Sequence, residues 1–132
     1  MTGPVGTLLN IAEAASWFYE EAVPKLRAYL DSPKTLDELQ DAVGMPSKGY
    51  DIHHIVEQTP AEKDGYPRSM IDAPENLVRV PTLSHWQINI WYSTGNEDFG
   101  GLPPREYLRG KSWEERRRIG LKALLQSGVL KP

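Results

Sequence analysis

Residues 49–89 constrain the fold and the chemistry of this chain more than any other stretch. All three histidines of the protein lie within it, at His53, His54 and His85. A neutral imidazole can bind a divalent metal ion, and a second imidazole can take a proton from water near pH 7. The adjacent histidines at positions 53 and 54 therefore offer one site two nitrogen donors with different neighbours.

Periodicity within this stretch predicts an order of secondary-structure elements. Residues 50–57 alternate as a short strand does, and residues 77–80 form a second candidate strand that Pro81 ends. Residues 82–92 then carry apolar side chains at helical spacing. Residues 58–75 between the two strands are polar and rich in proline, which is typical of a loop. The predicted order is strand, loop, strand, helix.

Helices are predicted on both sides of the central stretch. Apolar residues recur at threes and fours over residues 7–30, where Pro24 should kink or split the helix. Thr35 and Glu38 have the spacing of a capping box, which opens a short helix. Residues 112–115 repeat that pattern before a longer C-terminal helix.

Length and composition narrow the class of protein. A chain of 132 residues suffices for one domain with a modest core, so we expect residues 1–49 to pack as a helical segment on a core formed by residues 50–132. No run approaches the roughly 20 apolar residues of a membrane span, and no membrane partner is expected. With no cysteine, we expect no disulfide partner and no thiolate zinc site. The first residues lack the basic region of a secretory signal, which leaves the localisation unknown.

Charge is distributed unevenly, although the net charge is only −3. Residues 50–99 carry three Lys or Arg against eight Asp or Glu, whereas residues 100–132 carry eight against three. The cations of the C-terminal region include Arg105, Arg109, Lys111, Arg116, Arg117 and Arg118. Such a basic segment indicates either a surface that binds a phosphate-rich ligand or the solvated face of a helix.

His85 and Asn89 lie four residues apart in the predicted helix, so their side chains share one face of it. Such a pair can bind one metal ion from one side, with His53 completing the set and His54 left free as a base. Strict alternation would send His53 and His54 to opposite faces of their strand. Both can serve one site only if the pleat breaks there or if the helix packs across the strand end.

The histidines and asparagines of the central stretch stand in an order that resembles the HNH nuclease family: His53, His54, Asn76, His85 and Asn89. The resemblance implies an α+β fold, in which a ββα-metal core has flanking N- and C-terminal helices. Residues 50–132 would then be the nuclease domain. Residues 96–118 also resemble C-terminal toxin domains of bacterial polymorphic toxins that carry such cores.

The resemblance assigns roles to the matching residues. His54 is similar to the general base that activates the attacking water. His53 and His85 resemble metal ligands, and Asn89 occupies a place where many members have another histidine. The implied cofactor is one divalent metal ion, with Mg²⁺, Mn²⁺, Zn²⁺ and Ni²⁺ all left open.

Two further residues have implied supporting roles. Asn76 resembles the asparagine whose side chain holds the loop and fixes the base. We expect Asp51 to orient His53, since a ligating histidine usually donates its other N–H to an acceptor. Val56 and Glu57 stand where the family usually has a proline, and the paired CxxC ligands of many members are absent. These departures affect which metal the site would bind and how tightly it would bind it.

The implied activity is hydrolysis of phosphodiester bonds in DNA by a metal-dependent endonuclease of low sequence specificity. The C-terminal arginines and lysine would hold the nucleic-acid backbone. As a toxin or effector domain, the chain would act in a bacterial cytoplasm and have an immunity protein as its partner. The alternatives are a nucleic-acid-binding or interaction module without turnover, an RNA-cleaving relative, and a protein with a purely structural metal site.

Overall fold

Helices surround a small sheet in this chain. The computed structural model describes the backbone of residues 4–132 and the side chains of residues 10–132, so residues 1–3 of the predicted N-terminal segment lie outside the described residues. The strands are β1 (Tyr50–His54) and β2 (Leu77–Pro81). The α-helices are α1 (Pro4–Trp17), α2 (Val23–Tyr29), α3 (Leu36–Asp41), α4 (Gln58–Lys63), α5 (Arg68–Ile71), α6 (Thr82–Ser93), α7 (Pro104–Tyr107) and α8 (Trp113–Gln126). The expected α+β class is confirmed.

The two strands pair as an antiparallel sheet whose register decides which side chains meet the helices. Asp51 lies opposite Val80, and His53 lies opposite Val78. Paired residues point to the same face of a sheet, so Asp51 and His53 share a face with two fully buried valines. Helix α6 follows β2 without a connecting loop and contacts both strands. His54 lies on the other face, as strand alternation requires.

Residues 58–75, predicted to be a loop, instead contain the short helices α4 and α5. Ala61 and Ile71 are fully buried there and form a small apolar cluster with Val56. Tyr66 and Trp113 pack against this cluster. The loop prediction was wrong because these helices depend on burial of isolated apolar residues, which a polar composition conceals.

The N-terminal segment contacts the core through α2 and α3. A π-helical turn, Phe18–Ala22, precedes α2 at the place where Pro24 lacks a donor for the regular helical ladder. The capping box of Thr35 and Glu38 is present at the start of α3. Helix α2 packs on α6, and α3 packs on β2. No helix in the described part of the chain is both long and apolar enough to span a bilayer.

Two glycines mark where backbones approach closest. Gly120 of α8 lies against the residue that follows β1, and a Cβ placed on it would be 2.0 Å from the carbonyl oxygen of Ile55. Gly49 precedes β1 with a φ of +87°, and its Cβ would be 2.4 Å from the carbonyl oxygen of Pro24. Helices α8 and α2 therefore both abut the strand that carries the adjacent histidines.

Candidate active site

A cleft of about 650 Å³ lies among β1, α4, α6 and α7. Its lining includes His53, His54, His85 and Asn89. Because β1 ends at His54, the cleft reaches side chains from both faces of the strand end. The alternation that separates the two adjacent histidines therefore does not exclude them from one site.

The imidazole rings of His53 and His85 meet edge to face. Their centroids are 5.0 Å apart, with an interplanar angle of 72°. Burial, together with the nearby imidazoles of His85 and His54, lowers the pKa of His53 to about 3, so this ring is neutral at pH 7. Its Nε2 is buried without a hydrogen-bond partner in the described part of the chain. A neutral ring with its proton on Nδ1 would offer this nitrogen to a cation.

Asp51 anchors His85 through one of its carboxylate oxygens. Oδ2 of Asp51 lies 3.0 Å from Nδ1 of His85, and its Oδ1 accepts a hydrogen bond from the hydroxyl of Thr82 at 3.0 Å. This corrects the expected pairing of Asp51 with His53, because α6 crosses the same face of β1 and brings His85 within reach. An ionised carboxylate only accepts, so Nδ1 of His85 donates and its Nε2 keeps a lone pair.

His54 has a separate anchor. Its Nε2 lies 3.0 Å from Oδ1 of Asp72, whose carboxylate also pairs with Arg68. The hydrogen bond from His54 and the guanidinium of Arg68 lower the pKa of Asp72. Since the ionised carboxylate only accepts, Nε2 of His54 carries a proton and Nδ1 keeps the lone pair. Neither Arg68 nor Asp72 was predicted to belong to the site, and their i, i+4 spacing was the only sequence signal.

The side chain of Asn76 links the backbone that follows β1 to the backbone of α5. Its Oδ1 accepts from the backbone N–H of Val56 at 2.8 Å, and its Nδ2 donates to the carbonyls of Val56 and Ile71 at 3.1 and 2.8 Å. The residue is buried outside the cleft lining. None of its hydrogen bonds within residues 10–132 reaches the ring of His54, so Asn76 fixes the loop without contacting that histidine.

Asn89 is engaged by an arginine. Its Oδ1 accepts from Nη2 of Arg105 at 3.2 Å. Arg105 also donates to both carboxylate oxygens of Glu57, at 3.0 Å from Nε and 2.6 Å from Nη2, and to the hydroxyl of Ser93 at 3.0 Å. An amide oxygen has a second lone pair, which this contact leaves available. Glu57 and Arg105 thus form one wall of the cleft.

The predicted nucleic-acid-binding cations divide into two groups. Arg105 and Arg109 line the cleft, and Lys63, which was not predicted, lines it with them. Lys111 lies outside the cleft lining, with its ammonium 5.0 Å from the ring centroid of Tyr107. The cations that line the cleft therefore come from α4 as well as from the C-terminal region.

The consecutive arginines of α8 do not serve the cleft. Arg116 is buried and bonds to Asp64 and to the carbonyl of Lys111, which corrects its predicted role as a phosphate contact. Arg117 donates to a backbone carbonyl at 3.0 Å, and Arg118 pairs with the glutamate three residues before it. Three successive helical residues spread over some 200° of the helix surface, so they cannot all face one ligand.

The donors in the cleft fit a divalent cation. Within the described residues, no three His, Asp or Glu side chains are placed to share one metal ion, but the predicted set has two imidazoles and an amide. The described residues contain two buried side-chain polar atoms without partners, Nε2 of His53 and the hydroxyl of Tyr92, and both residues line this cleft. Buried polar atoms normally find partners, and a bound ion or a water molecule in the cleft would supply one for each. No family model, curated protein or solved structure matches the chain.

Proposed function

We propose that this chain is a metal-dependent endonuclease with a ββα-metal core of the HNH type, which hydrolyses phosphodiester bonds in DNA with little sequence preference. One observation carries the proposal. The unpartnered Nε2 of His53, the ring of His85 and the separately anchored ring of His54 line one cleft. The order β1, β2, α6 supports the same core, since α6 brings His85 and Asn89 to the end of the strand that carries the other two rings.

His53, His85 and Asn89 would hold the metal ion. Once bound, a divalent ion would supply Lewis-acid stabilisation of the negative charge that develops on the phosphate. Two imidazoles and an amide oxygen favour Mn²⁺, Ni²⁺ or Zn²⁺ on donor type, while Mg²⁺ is common in the family that the sequence resembles. Asp51 supports the set by keeping the ring of His85 in one orientation.

His54 is the proposed general base. Its Nδ1 takes a proton from a water molecule, and the oxygen of that water forms a bond to phosphorus. The ester P–O bond on the opposite side breaks, and the leaving oxygen takes a proton from solvent. Lys63 and Arg109, which line the cleft, attract the phosphates on either side of the scissile bond.

A cleavage assay tests this proposal. Wild-type protein, His54→Ala and Arg117→Ala are incubated with plasmid DNA and with RNA, each in Mg²⁺, Mn²⁺, Zn²⁺ and Ni²⁺. We expect wild type and Arg117→Ala to cleave DNA equally, and we expect His54→Ala to be slower by about 10²- to 10⁴-fold, the usual contribution of a general base. Intact DNA with every metal, or equal cleavage by His54→Ala, would overturn the proposal. Cleavage of RNA alone would reassign the substrate.

A second candidate is a nucleic-acid-binding module without turnover. The hydrogen bond from Arg105 to Asn89 favours this second candidate, because the bond occupies one lone pair of Asn89, the weakest of the proposed metal ligands. That module would bind DNA in a salt-dependent way and leave it intact with all four metals.

A delivered toxin domain with an immunity partner is the biological setting that we propose for the nuclease. Expression in a bacterial cytoplasm should then be toxic, and His54→Ala should abolish the toxicity. Harmless expression of a wild-type protein that cleaves DNA in vitro would argue for a different biological role.

A further inference from the structure

We infer that Asp72, held by Arg68, is the positioning residue of His54 and fixes the ring tautomer in which Nδ1 is free to accept a proton. Its consequence for catalysis rests on the proposed function. The sequence resemblance gave the task of fixing the base to Asn76, whose side chain is engaged with Val56 and Ile71 instead.

The carboxylate of Asp72 is gripped between two partners. On one side, Oδ1 of Asp72 lies 3.0 Å from Nε2 of His54. On the other side, Nη2 of Arg68 lies 2.7 Å from Oδ1 and 3.0 Å from Oδ2, and its Nε lies 3.2 Å from Oδ2. A forked guanidinium of this kind fixes the plane of a carboxylate as well as its position. Arg68 therefore fixes the position of the carboxylate oxygen that accepts the hydrogen bond from His54.

Arg68 also ties this pair to the wall of the cleft. Its Nη2 donates to Oε1 of Gln58 at 3.2 Å, and its Nη1 lies 3.2 Å from Oε2 of Glu62, both on α4. The side chains of Arg68 and Asp72 are 45% and 48% exposed, and ion pairs at that exposure add little to stability. The Arg68–Asp72 pair therefore contributes little to the free energy of unfolding, and its main effect is to orient the ring of His54.

Among the side chains that the structure describes, no second group competes with Asp72 for the ring of His54. Within residues 10–132, Asp72 is the only side chain that hydrogen-bonds to it. His85 is bonded in the opposite sense, through Nδ1 to Asp51. The two anchored histidines of the cleft therefore carry their protons on different ring nitrogens, His54 on Nε2 and His85 on Nδ1. This opposition would let His85 offer Nε2 to a cation while His54 offers Nδ1 to a proton.

The tautomers can be measured without any activity. Long-range ¹H–¹⁵N correlation spectra of the metal-free full chain are recorded at pH 8, above the ordinary histidine pKa of about 6.5. Each ring is assigned by its loss in a His→Gln variant. We expect protonated Nε2 at His54 and protonated Nδ1 at His85. In Asp72→Asn the His54 pattern should become a mixture, while His85 stays unchanged.

Asp98→Asn is the matched control, because it makes the same chemical change in another exposed ion pair, that with Lys122. It should leave both ring patterns as they are in wild type. An Nδ1–H tautomer at His54 in wild type, or an unchanged His54 pattern both in Asp72→Asn and in Asp72→Ala, which keeps no acceptor, would overturn the inference. Because these spectra need neither metal nor substrate, they remain decisive even if the protein cleaves nothing.

Kinetics test the consequence for catalysis. We expect Asp72→Asn to lower kcat by about 10- to 100-fold, the same size of loss as when a metal-binding histidine is deprived of the group that orients it. KM and Mn²⁺ affinity should stay within twofold of wild type, Asp72→Glu should recover part of kcat, and Asp98→Asn should behave as wild type. Unchanged kcat in Asp72→Asn, or a parallel loss of Mn²⁺ binding, would contradict a positioning role.

Discussion

Two aspartates orient two of the three histidines in this cleft, and each aspartate bonds to a different histidine. Asp51 bonds Nδ1 of His85, and Asp72 bonds Nε2 of His54, both at 3.0 Å. A carboxylate cannot donate when ionised, so each bond dictates which ring nitrogen carries the proton. His53 has no such partner among the described residues and stays neutral through burial. Three chemically identical side chains thus acquire three distinct states.

Asp51→Asn should weaken metal binding. An amide can turn its NH₂ group toward Nδ1 of His85, which would shift the ring proton to Nε2 and remove the lone pair that we assign to the metal. We expect the affinity for Mn²⁺, measured by titration calorimetry, to fall by about 10- to 100-fold.

Thr82→Val supplies the control for this prediction. It removes the hydrogen bond to the other oxygen of Asp51 and leaves the bond to His85 in place. We expect a smaller loss of Mn²⁺ affinity than in Asp51→Asn. Equal affinities in wild type and Asp51→Asn would show that Asp51 does not support a ligand.

At the scale of elements, the position of β1 depends on a glycine in α8. Any side chain at Gly120 would collide with backbone, because its Cβ would be 2.0 Å from the carbonyl oxygen of Ile55. We expect Gly120→Ala to destabilise the protein by about 3 kcal/mol, the upper part of the range for overpacking, since backbone cannot rotate away. Urea denaturation measures this change.

Gly44→Ala is the matched control, because nothing lies within 4 Å of the Cβ that it adds. We expect its free energy of unfolding to lie within about 0.5 kcal/mol of wild type, as for most surface substitutions. If Gly120→Ala is as stable as Gly44→Ala, the close contact between α8 and the end of β1 is not present in solution.

Glu115, in the first turn of α8, should make the stability of the protein depend on pH. Hydrogen bonds from Arg118 and Tyr107 lower the pKa of Glu115 to about 2 from its ordinary value of 4.5. A depressed carboxyl pKa contributes stability above the unfolded value, and this contribution is lost as the pH falls from about 4.5 through 2.

We therefore expect Glu115→Gln to be less stable than wild type at pH 7, and we expect the two Tm values to converge near pH 2. Thermal melts at both pH values, with the neighbouring Glu114→Gln as reference, measure the difference. A gap between wild type and Glu115→Gln that keeps its size at low pH would contradict this assignment.

The order β1, β2, α6 was predictable because its signals are local. Pro81 ends a strand and leads directly into α6, where His85 and Asn89 follow at helical spacing. The partners of the rings were not predictable in the same way. Asp51 lies 34 residues from His85, and Asp72 lies 18 residues from His54, so each contact depends on how the elements pack. Arg116 was misassigned for the same reason, since its burial against Asp64 is a tertiary contact.

For the molecule as a whole, the basic C-terminal region offers few cations to a ligand. Arg105, Arg116 and Arg118 pair with Glu57, Asp64 and Glu115, respectively. Nucleic acid that enters the cleft would meet Lys63 of α4 and, from the C-terminal region, Arg109, which also pairs with Glu106 at 3.1 Å. A protein with a net charge of −3 and so few contacts should bind DNA weakly, with affinity sensitive to salt.

Lys63→Ala should reduce that salt dependence. Each phosphate contact contributes about −0.9 to the slope of log K against log salt, so we expect the slope to become shallower by about one. Fluorescence anisotropy of a labelled DNA duplex at several salt concentrations measures the slope. Arg117→Ala, outside the cleft, should leave it unchanged, and equal slopes for wild type and Lys63→Ala would place the DNA elsewhere.

The most direct measurement separates metal binding from cleavage in the three histidine variants. Titration calorimetry with Mn²⁺ is paired with a plasmid cleavage assay on wild type, His53→Ala, His54→Ala and His85→Ala. We predict one Mn²⁺ per wild-type chain, loss of both binding and cleavage in His53→Ala and His85→Ala, and retained binding with cleavage slowed by about 10²- to 10⁴-fold in His54→Ala. Unaltered Mn²⁺ binding in His53→Ala and His85→Ala, or full cleavage by His54→Ala, would contradict a metal site built by two histidines and served by the third.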